Sequence, residues 1–245
     1  MRPFFTVDPV ETRIIQELKS WSALGLETPN DFFNDLPPCP FARKAWAEEK
    51  VNIIFKHENS DQALYSAISQ YDDAFDVAIL VNLYDLPESD NFHESIEQLN
   101  DVISKGFFID RDMWLMGFHP HDEVPDFVDE TMEIPPEVEV EQEYTLIFIQ
   151  RLSKLQEAAY KLIKKGYYDN YLYDKDACLQ YAQREQFYLD LRRTDNGTSE
   201  KESSYPDAQG WREEDAGWGT SEKESSYSDE EGWFSDQCQR AASHG

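Results

Sequence analysis

Two short clusters carry residue types that could do chemistry. Cys39-Pro40-Phe41-Ala42-Arg43 sets a thiol and a guanidinium four positions apart. Gly117-Phe118-His119-Pro120-His121-Asp122 sets two imidazoles beside a carboxylate. A thiol becomes a nucleophile when positive charge or a base lowers its pKa. Cys39 is therefore the candidate nucleophile or redox thiol, Arg43 the group that orients an anion, and His119 the proton-exchanging base. The competing reading makes Cys39 a small buried hydrophobe and His119 the holder of an internal hydrogen bond. Metal ligation by His119, His121 and Asp122 is awkward, because residues two apart on an extended segment point to opposite sides. No metal and no cofactor is assigned.

Both clusters lie in proline-shaped loops, so the elements around them must do the positioning. Asp8-Pro9 is a capped helix start, and Val10, Ile14, Ile15, Leu18, Trp21 and Leu24 recur at helical spacing up to Gly25. Phe41 to Glu49 reads as a short helix. Val51–Phe55 reads as a strand, Asp61–Tyr71 as a helix, and Val77–Val81 as a strand buried on both faces. A helix over Phe92–Ile103 and a strand over Met113–Phe118 follow. The apolar positions Tyr144, Ile147, Phe148, Leu152, Leu155, Ala159 and Leu162 outline one long helix ending near Gly166. A last helix covers Gln183–Arg193, with Asp174 as an alternative start. Glu137, Glu139, Glu141 and Glu143 alternate with other residues and predict an acid-faced edge strand. Further short strands fit in 4–8 or 122–142. The expected fold is a compact layered α/β domain over residues 1–193, with about three or more strands flanked by helices.

The folded body resembles the DUF1415 family of uncharacterised bacterial proteins over roughly residues 10–165. The resemblance rests on Cys39-Pro40-Phe41-Ala42 after an N-terminal helix and on Phe118-His119-Pro120 after a strand. It implies that Arg151 is the counterpart of an arginine on a late helix in that family. His121, Asp122 and Arg151 are the candidate ligand-binding residues. Glu133-Ile134-Pro135-Pro136 stands where the family carries Asn-Arg-Ser-Pro-Tyr-Pro. The family brings no activity with it.

Charge narrows the classes of partner. The chain has 50 acidic and 22 basic side chains, a formal charge of -28. Such a surface repels nucleic acid and anionic membrane and suits a protein partner with a basic surface. No glycine-rich phosphate loop, hydrolase elbow or basic stripe is present. Three cysteines, Cys39, Cys178 and Cys238, make no disulfide framework, which points to a reducing compartment and a cytoplasmic protein. No stretch has the length of a membrane span or a signal peptide.

After Arg193 the composition changes. Gly197–Tyr205 recurs as Gly219–Tyr227, 22 residues on, and each copy leads to a Gly-Trp pair, at Trp211 and Trp233. Residues 194–245 read as an acidic disordered tail whose repeats offer Tyr and Trp to a basic partner, twice over. Two functions stay open. One is an acidic interaction or regulatory protein. The other is an enzyme on a small molecule, with a small anionic ligand as the candidate, using a thiol–histidine pocket between the two clusters.

Overall fold

A computed structural model describes residues 8–108, 110–123, 139–170, 175–197, 232–234 and 237. The element order is α1 (Pro9–Trp21), α2 (Ala42–Ala47), β1 (Val51–Lys56), α3 (Gln62–Ser69), β2 (Val77–Asn82), α4 (Ser89–Ser104), β3 (Trp114–Phe118), β4 (Thr145–Gln150), α5 (Leu152–Ile163) and α6 (Lys175–Gly197). The Asp8 carboxylate accepts from the Val10 N–H at 2.8 Å and starts α1 where the sequence predicts. A π turn over Ser22–Leu26 ends that segment.

The four strands form one mixed sheet in the order β1-β2-β4-β3. β1 and β2 are parallel, and β4 is antiparallel to both β2 and β3. The three expected strands therefore run the same way, and an unexpected one lies between two of them. Residues 145–150 are a strand, not the first turns of a long helix. Thr145-Leu146-Ile147-Phe148-Ile149 is buried throughout, and a strand covered on both faces shows no polar alternation. The helix begins only at Leu152. The acid-faced strand is also corrected: Glu139–Glu143 is irregular, and the preceding residues lie outside those described. So does the 4–8 segment up to Val7.

Each sheet face has its own layer. Leu64 and Ile68 of α3 and Phe92, Ile96 and Ile103 of α4 pack on Ala78, Leu80, Leu115, Ile147 and Ile149. Ile14 and Leu18 of α1 cover Val77, Ile79, Val81, Leu146 and Phe148 on the other face. On that second side α5 and α6 join Phe33, Trp114, Tyr167 and Tyr168 in an aromatic cluster. Two devices bring α4 against the edge strand β3. A Cβ on Gly117 would stand 2.6 Å from the Phe92 ring, so only glycine permits the approach. Asn100 is buried, donates to the Leu115 carbonyl and accepts from the Leu115 N–H, both at 2.9 Å. It satisfies edge-strand backbone that has no further strand beside it among the described residues.

Two findings concern residues outside the expected core. Trp233 and Phe234, from the tail, are buried in the aromatic cluster. The remainder of the tail from 198 lies outside the described residues, save Gly232 and Gln237. Cys178 is disulfide-bonded, where the sequence suggests no disulfide framework; Cys39 is free.

Candidate functional site

The parallel direction of β1, β2 and β3 places their carboxyl ends at one edge of the sheet, where pockets of α/β proteins usually form. His119, His121 and Asp122 follow β3 there. Asp122 is the centre of the cluster. Its Oδ1 accepts from the Ser89 hydroxyl at 2.6 Å and from His93 Nε2 at 2.8 Å, and its Oδ2 accepts from the His119 backbone N–H at 2.8 Å. Burial pushes this carboxyl up, but the bonds from Ser89, His119 and His93 outweigh burial and hold it below the ordinary carboxylate range. The positive end of the α4 dipole acts in the same direction, since Ser89 opens that helix.

The proton expected of His119 is not available for exchange. Its Nδ1 accepts from the His121 N–H at 3.1 Å, so its Nε2 bears the hydrogen and donates to the Pro87 carbonyl at 2.8 Å. Both ring nitrogens are used, and the ring packs 5.7 Å from Phe92. His121 faces solvent and pairs with Glu143 at 3.0 Å. Ser89 and His93 are the members the sequence reading missed. Their only signal is a four-residue spacing at a helix start, which puts both on one face. They also do not make a hydrolytic triad with Asp122. Nucleophile activation needs the imidazole between hydroxyl and carboxylate, whereas here the carboxylate lies between the other two.

Cys39 is elsewhere. Along β3, Leu115 and Gly117 face α4, and His119 continues on that side against Phe92. Phe118 faces the other way, 5.6 Å from Trp21. The Cys39 segment belongs to this second side. Its N–H donates to the Leu26 carbonyl at 2.9 Å, Tyr167 donates to the Pro38 carbonyl, and Phe41 packs into the cluster that holds Trp114. Cys39 and His119 thus lie on opposite faces of the sheet, and the single cleft expected between their loops does not form. Burial pushes the Cys39 thiol up, against the lowering by the Phe41 and Ala42 N–H groups, and nearby Glu27 adds to the rise. A thiol in that setting stays protonated at neutral pH. Arg43 does not reverse this. It reaches Glu27 instead, at 3.4 Å from the carboxylate and 3.3 Å from the carbonyl. Glu27 accepts from Ser22, which accepts from Trp46, so Arg43 joins a latch between the π turn and α2.

Arg151 is the third expected site residue, and it sits at the opposite edge. Gln150 pairs with Trp114 while Leu146 pairs with Phe118, so about six residues of strand, some 20 Å, separate Arg151 from His119. Its guanidinium grips Asp73 through Nε at 2.7 Å and Nη2 at 3.0 Å, bonds Asp110 through Nη1, and lies 5.2 Å from the Tyr71 ring centroid. Burial disfavours its charge, yet the two carboxylates overcome that and raise its pKa further. The grip spends the fork that an anionic ligand would need.

One hollow of about 230 Å³ opens at the carboxyl edge, lined by Asp8, Val10, Glu11, His57, Leu83, Tyr84 and Gln142. Tyr84 is 51% exposed beside it, and Glu11 pairs with His57 at 2.8 Å. Among the described residues no group of three or more His, Cys, Asp or Glu is placed to hold a metal ion, and no helix is long and apolar enough to cross a membrane. No family model matches the chain, and neither a curated protein nor a solved structure matches it.

Proposed function

We propose that this protein is a noncatalytic interaction or regulatory protein whose partner presents a basic surface. The observation that carries the reading is the charge of -28, which steers basic partners inward and turns polyanions away. The state of the reactive groups supports it. Cys39 is held as a thiol, both nitrogens of His119 are bonded internally, and Arg151 is committed to Asp73 and Asp110. The hollow beside Tyr84 is the contact point we assign. Asp8 and Glu11 offer carboxylates there, and the exposed Tyr84 ring suits the flat approach of a lysine or arginine side chain. The kinship with the DUF1415 family and a cytoplasmic location belong to the same proposal.

The test titrates the full-length protein with lysine-rich and alanine-rich peptides of equal length. The lysine peptide should bind at about 50 mM salt and lose most of its affinity by about 300 mM, as the Debye length shortens. Tyr84→Ala with Glu11→Gln should weaken that binding on the order of tenfold, by about 1.4 kcal/mol. Equal binding of both peptides, or a salt response without any effect of the double variant, would reject the assigned contact.

A further inference from the structure

The two edges of the sheet are finished differently. At the β3 edge, Asn100 of α4 takes up the Leu115 N–H and carbonyl. At the β1 edge no group does the same among the described residues. The Lys50 carbonyl accepts from the Asp76 N–H at 2.9 Å, and the Lys56 carbonyl accepts from the Leu83 N–H at 3.0 Å, so residues 50, 52, 54 and 56 turn their backbone toward β2. Backbone direction alternates along a strand. The N–H and C=O groups of Val51, Ile53 and Phe55 therefore point away from the sheet, and nothing among the described residues bonds them. Edge strands are commonly blunted by proline, a bulge or an inward charge. β1 has no proline, and its residues pair with β2 in unbroken register. Its one charge, Lys56, is drawn down to Asp61 at 3.5 Å and Asp85 at 3.6 Å. Val51, Ile53, Ile54 and Phe55 are left half-buried, whereas every residue of β2 is buried.

A second hollow of about 230 Å³ lies beside this edge on the α3 side. Ile54, Ala63, Ala67 and Tyr71 give it apolar walls, and Asp72 adds an exposed carboxylate. The Asp72 Oδ1 accepts from the Ala74 N–H at 2.9 Å, which leaves Oδ2 for a further donor. Arg151, 5.2 Å from the Tyr71 ring centroid, is already neutralised by Asp73 and Asp110. Side chains of a strand added to β1 would alternate between the two faces of the sheet, and those on the α3 side would enter this hollow. A lysine or arginine there lays its methylenes on Ile54 and Ala67 and carries its cation to Asp72. On the other face, apolar side chains would extend the layer of Val51, Ile53 and Phe55 that packs with Trp21. We propose that the β1 edge takes up an extended peptide, in which lysine or arginine alternates with apolar residues, as a fifth strand of the sheet. The sign of the partner's charge rests on the proposed function; the surface is separate from the hollow beside Tyr84.

The test titrates the isotope-labelled full chain with a short peptide alternating lysine and valine, followed by nuclear magnetic resonance at the Val51, Ile53 and Phe55 amides. Those amides should shift and exchange more slowly once the peptide is bound. Methylating the backbone nitrogens of either the lysines or the valines keeps the peptide's charge and side chains. The set that faces β1 should weaken binding on the order of tenfold when methylated, and the outward set should not. Asp72→Asn should weaken it on the order of threefold. Equal binding of both methylated peptides, or equally tight binding of a glutamate–valine peptide, would overturn the added strand. Slow exchange of the three amides in the free protein would do so as well: if it is lost on dilution a second copy holds the edge, and if it persists the chain covers the edge itself. A peptide that responds to Tyr84→Ala with Glu11→Gln but leaves the Ile53 amide unmoved would overturn the added strand and leave the contact at Tyr84 standing.

Discussion

Removing the Asp122 carboxylate tests whether the carboxyl-edge cluster is a fastening. Asp122→Ala deletes three hydrogen bonds to a charged acceptor, from Ser89, His93 and the His119 N–H. Bonds to charged acceptors contribute about 1.5–3 kcal/mol each when nothing replaces them. Water replaces some here. The Asp122 side chain is 33% exposed and that of His93 is 40% exposed, so both ends of that bond rehydrate. The His119 N–H is the donor least able to do so. The expected loss is about 2–3 kcal/mol in total, close to a 5–10 °C fall in Tm for a body of this size. Asp122→Asn keeps an acceptor and should lose about half as much. The pH dependence fixes the cause. Because the folded carboxyl is held below its unfolded value, its contribution is complete above about pH 4 and fades as pH falls through the folded pKa. The gap in stability between wild type and Asp122→Ala should therefore be flat from about pH 7 to 5 and close in stronger acid. Urea melts at several pH values measure it. A gap below about 0.5 kcal/mol, or one that widens in acid, would refute the fastening.

Asn100→Ala should cost about 2–4 kcal/mol by urea melt, since it strands a buried N–H and carbonyl of Leu115 and opens a void beneath α4. Gly117→Ala should cost about 1–3 kcal/mol, and shortening Phe92 to Leu in the same chain should recover part of it. Arg151→Met should cost about 1–2 kcal/mol, a discounted value because the Asp73 and Asp110 side chains are about half exposed. Iodoacetamide at neutral pH should alkylate Cys39 more slowly than a free thiol does, and Arg43→Ala should leave that rate unchanged, since Arg43 is paired with Glu27.

The elements that could be read from sequence were those whose own residues declare them. Val51–Lys56 and Val77–Asn82 are runs of β-branched and apolar residues with helices between, and they lie in register as parallel neighbours. β4 escaped because Tyr144, Ile147, Phe148, Arg151 and Leu152 happen to fall at helical spacing, and burial on both faces removed the alternation that would have opposed it. The site divided in the same way. His119 and Asp122 are three residues apart, so a turn joining them is local information. Their partners Ser89 and His93 come from 33 and 29 residues away from Asp122, across a helix and a strand, and no local pattern announces that pairing.

The tail shows where reading by resemblance between repeats misleads. Gly197–Tyr205 and Gly219–Tyr227 are identical, and identity argues for two equal binding motifs. The informative position lies outside the identical stretch, where Arg212 and Phe234 differ. Phenylalanine at that place enters an aromatic cluster already containing Tyr168 and Tyr181, whereas arginine would carry a second positive charge beside the Arg184 guanidinium, which already faces the ring. Burying a second guanidinium beside the first adds like-charge repulsion to its desolvation cost, and together these exceed what its stem gains by packing. Phe234→Arg should consequently raise amide exchange around Trp233, while Arg212→Phe should let the first repeat compete for the same aromatic cluster. If exchange around Trp233 is the same in wild type and Phe234→Arg, the distinction between the repeats fails and Trp233 alone holds the segment to the cluster.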